Sequence, residues 1–149
     1  MISNRPNVYI AGPLFSENER QWNISLRNAL SEFCDVYLPQ EDGALLVDLV
    51  ANGMPVNEAK NAIFEGDLQA IDRCDILLLV MDGRVIDEGA SFELGYAYCR
   101  GKICIGLKTD VRSLLTIGDN PMIECGLRAT FKDMIEVSEW IRSRRWENH

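Results

Sequence analysis

The chain has 149 residues, 47% of them hydrophobic and 26% charged, with a formal net charge of −8 at pH 7. That length suits one domain, 1–149, with enough interior for a real core. The negative charge argues against nucleic acid or an anionic membrane as the main partner, since both would repel it, and leaves a small neutral or basic ligand as the easier fit.

Met1 to Asn7 is polar and runs straight into a strand-like segment, Asn7–Ala11, which Gly12-Pro13 ends. No signal peptide and no bilayer-length apolar run is read. Ser16 and Glu19 have capping-box spacing and open a helix whose apolar face carries Trp22, Leu26, Ala29, Leu30 and Phe33. A short strand is expected over 35–38, stopped by Pro39. A short helix over 44–51, closed by Asn52-Gly53, precedes a longer one over 55–73.

The unbroken apolar run 76–81 reads as a strand buried on both faces of a parallel sheet. A helix over 90–100 leads to a fourth strand, Ile103–Leu107. The stretch 110–126 has no clear pattern, and 127–131 reads as a fifth strand. Met134, Val137, Trp140 and Ile141 mark a last amphipathic helix, ending in a solvated basic tail with Arg142, Arg144 and Arg145.

Strands alternating with helices at this spacing predict a flavodoxin-like (Rossmann-type) α/β fold: a doubly wound, parallel, five-stranded sheet with helices on both faces. With strand order 2-1-3-4-5, the ligand crevice falls between the first and third strands, lined by residues 12–15 and 82–93. Neither G-x-G-x-x-G nor a P-loop is present. The five cysteines (Cys34, Cys74, Cys99, Cys104, Cys125) are odd in number and never spaced CxxC, which fits a reducing cytoplasm. No metal site is expected, because His149 is the one histidine and sits at an end expected to fray.

Acidic residues on apolar helix faces are the anomaly. At about 100° per residue, Asp67 falls inside an arc of Ala59, Ile63, Phe64, Leu68, Ala70, Ile71 and Cys74. Burying a carboxylate is costly unless it is paired, hydrogen-bonded or protonated. An aspartate satisfied by another partner and a salt bridge to Lys60 are the plain alternatives to a chemical role. Glu93 lies among Ala90, Phe92, Leu94, Gly95 and Tyr96, expected in the first helical turn at the crevice, although on pattern alone an ordinary N-terminal helix acid is the better explanation. Asp87 and Glu88 precede it in a loop. Tyr9 is a strand tyrosine whose hydroxyl needs a partner. Carboxylates and a tyrosine converging on one crevice suit glycosyl transfer, in which one carboxylate meets the anomeric carbon and another acid serves the leaving group.

Tyr9-Ile10-Ala11-Gly12-Pro13, the run Gly66-Asp67-Leu68-Gln69-Ala70-Ile71 before Cys74-Asp75, and Asp87 through Phe92-Glu93-Leu94-Gly95-Tyr96-Ala97 together resemble the nucleoside 2-deoxyribosyltransferases. The resemblance implies a nucleophile at Glu93, an acid for the leaving base at Asp67 and a tyrosine, Tyr9, that holds the nucleophile. It further implies that Asp87 binds the sugar 5'-hydroxyl, that Phe15 packs on the base, and that Gly12 belongs to the substrate-binding segment. Asn120, in Asp119-Asn120-Pro121, resembles an asparagine that reaches a neighbouring subunit's site, which implies a homo-oligomer; a plain Asn-Pro turn is the alternative. The substrates implied are a deoxynucleoside and a free nucleobase, with no cofactor.

The stretch 39–55, which should choose the base, does not align with the family; Gln40 and Asp42 are weak candidates there. Two other activities compete. One is hydrolysis of deoxynucleoside 5'-monophosphates, in which a serine usually stands at the Asp87 position. A carboxylate there repels a phosphate but accepts from a neutral hydroxyl. The other is a non-catalytic nucleotide sensor, which has no need of both Glu93 and Asp67.

Overall fold

The computed structural model describes residues 5–147, so His149 and the start of the chain lie outside the described residues. The strands β1 (Asn7–Ala11), β2 (Asp35–Tyr37), β3 (Ile76–Val80), β4 (Ile103–Leu107) and β5 (Ala129–Phe131) form one parallel sheet in the order β2-β1-β3-β4-β5. This is the expected doubly wound order. The helices are α1 (Glu17–Leu30), α2 (Pro39–Asp42), α3 (Leu46–Ala51), α4 (Val56–Arg73), α5 (Glu88–Cys99), α6 (Pro121–Glu124) and α7 (Met134–Arg142).

Alternation along the central strands divides their side chains between two cores. Val8, Ile10, Leu78, Val80 and Ile105 point toward α1 and α7, where Leu26, Leu30, Val137 and Ile141 close over them. Tyr9, Ala11, Leu77, Leu79 and Cys104 point the other way, toward Ala70 and Ile71 of α4 and Leu94 and Ala97 of α5. Every residue of β3 is buried, as its apolar run requires. Three cysteines, Cys34, Cys74 and Cys104, sit in these cores, while Cys99 and Cys125 are exposed; all five are free thiols.

Local chemistry sets the element ends. Ser16 accepts from the Glu19 amide at 3.2 Å and Glu19 accepts back from the Ser16 amide at 2.8 Å, completing the capping box. Pro39 does not end the structure after β2 but opens α2, because proline at the first helical position loses no hydrogen bond. The helix expected from residue 90 starts at Glu88, with the Asp87 side chain capping it through the Ala90 amide at 2.9 Å. Glu93 therefore stands in the second turn of α5, not the first.

The stretch without a pattern holds α6 and an isolated bridge between Leu115 and Gly118. It is anchored by an ion pair of Lys108 with Asp119, both largely buried. The basic tail is not simply solvated. A 3-10 turn, Arg145–Glu147, buries Trp146 completely, with its indole N–H donating to the Ile141 carbonyl at 2.9 Å, and Arg144 pairs with Glu147.

Candidate active site

The order of the sheet reverses between β1 and β3, and α4 and α5 overhang β1 from one face. Between the two helices lies a cleft of about 380 Å³, lined by Asp67, Glu93, Phe64, Phe92, Lys60 and Leu46 among others. Of the apolar arc, Ala59, Ala70, Ile71 and the capping Cys74 are buried, and Ile63, Phe64 and Leu68 are not. Phe64, in the same arc, remains 50% exposed and meets Phe92 with ring centroids 5.8 Å apart. That apolar surface faces the cleft instead of the core.

Tyr9 projects from β1 beneath Glu93 and donates from its hydroxyl to Glu93 Oε1 at 2.9 Å. Its ring is fully buried and stacks on Tyr37, with centroids 5.3 Å apart and planes 13° from parallel. Burial, with the negative charges of Glu93 and Asp67, holds the Tyr9 phenol far above its ordinary range, so it remains a donor. Burial also pushes the Glu93 carboxyl up to about 8; the Tyr9 hydrogen bond opposes that shift, and Asp67 and Asp87 add to it. Asp67 is pushed up to about 6 by burial.

Neither plain alternative for Asp67 is found. Among the described residues, no ion pair joins it to exposed Lys60, and no side chain or amide donates to it. It is a half-buried acid facing a cleft.

Tyr9, Glu93 and Asp67 are thus brought together, with Asp87 close by at the α5 N-terminus. Gly12 stands just past β1, where a Cβ would come 2.8 Å from Val80 Cβ; a glycine is what lets the chain leave the sheet there. Phe15 is 77% exposed on the next loop and does not line the cleft. Asn120 caps α6, accepting from the Met122 amide at 2.9 Å. It lines a separate cavity of about 200 Å³ with Arg84, Ser91 and Arg112.

Gln40 and Asp42 are engaged within the fold. Gln40 accepts from Asn23 at 3.0 Å and donates to the Arg20 carbonyl at 3.1 Å; Asp42 accepts from the Leu38 amide at 2.8 Å and pairs with Arg27. Sequence reasoning missed Tyr37 and Gly43 beside Asp67. Nothing in the sequence marked them, since the register of Tyr37 with Tyr9 exists only in the folded sheet.

A parallel α/β fold with a tyrosine-held glutamate and a half-buried aspartate on one cleft has the form of a small-molecule site with candidate acid and nucleophilic groups. The family model for nucleoside 2-deoxyribosyltransferases matches residues 8–138, and the chain belongs to that family. No curated protein matches it. A 2-deoxyribosyltransferase from Bacillus psychrosaccharolyticus is similar in structure, with a TM-score of 0.73 at 26% identity, covering 89% of this chain and 90% of that one. A conserved protein from Enterococcus faecalis V583 has the same fold, with a TM-score of 0.74 at 24% identity over 94% and 99% of the two chains. A CMP N-glycosidase from Clostridium botulinum shares the fold more distantly, with a TM-score of 0.54 at 16% identity over 93% and 98%. The chain is a nucleoside deoxyribosyltransferase or a related N-glycosidase.

Proposed function

We propose that this enzyme moves 2-deoxyribose from one nucleobase to another by double displacement on Glu93. A Glu93 carboxylate oxygen attacks C1' of a deoxynucleoside; the C1'–O bond forms as the C1'–N bond breaks. The bonding pair leaves on the base nitrogen, which takes the proton of Asp67. A second base, deprotonated by Asp67, then attacks C1' and releases Glu93. Tyr9 holds Oε1 by its hydrogen bond and so leaves Oε2 to attack.

The observation that carries this reading is the pairing of that glutamate with a half-buried, partnerless acid across one cleft. Splitting the displacement in two needs a nucleophile fixed in place and a separate proton donor, and the two residues suit those tasks. Asp87 keeps one carboxylate oxygen beyond its capping bond, which is free to accept from a neutral 5'-hydroxyl. That favours a nucleoside over its monophosphate. Five free thiols suit a reducing, cytoplasmic setting.

Association of copies belongs to the same reading. Tyr98 on α5 and Met122 on α6, 63% and 83% exposed, border one apolar hollow with Leu94, Pro121 and Ile123, a surface suited to a second copy. Asn120, on the same helix, is then offered to a neighbouring copy's site.

The test is incubation with a deoxynucleoside, with and without a second free base. A new nucleoside is expected with the second base. Free sugar alone, regardless of added base, would mean hydrolysis, and no cleavage would mean a sensor. Glu93→Ala should lose at least about three orders of magnitude in rate. Near-normal activity in that variant would end the nucleophile assignment.

A further inference from the structure

Tyr37 ends β2 in register with Tyr9, so both rings leave the same face of the sheet and stack. The stack fixes the ring and leaves only the hydroxyl at its far edge to interact. Gly43, just after α2, faces that hydroxyl: a Cβ on Gly43 would lie 3.1 Å from Tyr37 Oη and 3.6 Å from Asp67 Oδ1. The Pro39 carbonyl oxygen lies 2.7 Å from the same point, so three oxygens ring a position too tight for a side chain. Neither side-chain oxygen is hydrogen-bonded to another of the described residues, whereas Gln40 and Asp42 of the same stretch are both engaged. Half-buried polar groups left side by side without partners call for something polar between or beyond them.

We propose that the Tyr37 hydroxyl is a second hydrogen-bonding group for the nucleobase, gripping its edge beside the atom that Asp67 protonates. The inference rests on the site being one that cleaves nucleosides. A base edge carries ring nitrogens next to exocyclic oxo or amino groups, so two neighbouring protein groups match it. A phenol both donates and accepts, and it can serve either kind of exocyclic group. Burial and the nearby Asp67 raise the Tyr37 pKa, which keeps its proton available.

Tyr37→Phe keeps the ring and its stack and removes only the hydroxyl. The measurement is calorimetric binding of adenine, hypoxanthine, cytosine and thymine, together with KM and kcat for the acceptor base and a melting curve for the variant. Tyr37→Phe should weaken each base that the wild type binds by about ten-fold, with a matching rise in KM and a much smaller change in kcat.

Unchanged affinities in a folded Tyr37→Phe would overturn the inference, as would a loss read only in kcat and melting temperature, which is what a structural tyrosine gives. A wild type that binds none of the four bases would overturn it too. If the wild type binds bases yet cleaves no deoxynucleoside, the proposed function fails, and the affinity comparison still decides the role of Tyr37.

Discussion

Glu93 and Asp67 lie on one cleft with carboxyls pushed up to about 8 and about 6, so between those values the pair holds a single shared proton. The unliganded enzyme favours that proton on Glu93, whereas the attack on C1' proposed above needs it on Asp67. In that proposal, positive charge growing at C1' stabilises ionised Glu93 and drives the exchange. The singly protonated pair is most populated near pH 7, so kcat/KM should follow a bell with limbs near 6 and 8; a rate independent of pH from 5 to 9 would contradict it. Stability carries the same signature. Between about pH 4.5 and 8 the folded protein holds protons that the unfolded chain has released, so stability falls as pH rises through that window. Glu93→Gln keeps an acceptor for Tyr9 and removes the charge. It should stabilise the protein at pH 8 by roughly 1–2 kcal/mol, a few degrees of melting temperature, and have no effect at pH 4. A destabilised variant at pH 8 would show that the Glu93 charge is not held at a cost. Both acids stood out in the sequence because carboxylates are rare within apolar arcs. Tyr37 did not, since a tyrosine on a three-residue strand carries no periodic signal.

Among the elements, α5 joins fold and site most directly, because the residue that starts the helix is also the one proposed to meet the sugar. Asp87→Ala removes both the cap and the carboxylate, and should cost about 1 kcal/mol of stability as well as activity. Asp87→Ser keeps a capping oxygen. It should melt close to wild type while kcat/KM for deoxynucleosides still falls about ten- to a hundred-fold, the worth of a hydrogen bond to a charged acceptor. Equal activity in Asp87→Ser and wild type would leave Asp87 a cap and nothing more. Elements with a strong local pattern were legible: the capping box of α1, the apolar run of β3 and the amphipathic face of α7. The parallel, doubly wound sheet also followed from their alternation. Where structure depends on distant partners, it was not legible. α2 is hidden behind a proline that reads as a stop, and the chain around Asp119 takes its course from a buried pair with Lys108.

At the scale of the whole molecule, the five thiols divide by position into three that burial silences and two in the open. Burial pushes Cys34 and Cys74 up to about 12 and Cys104 up to about 11, so none of them forms a reactive thiolate near neutral pH. Cys99 and Cys125 are exposed, and Cys125 borders the same apolar hollow as Tyr98 and Met122. A maleimide should therefore label two cysteines per native chain and five after denaturation, as counted by intact mass. Cys125 becomes a gauge of association: its labelling should slow as protein concentration rises if copies meet across α5 and α6. The rate at Cys99 in the same spectrum, read beside it, tells whether the covered surface extends to the far end of α5. The protein thus carries its own dilution meter, readable without a tag or a substrate.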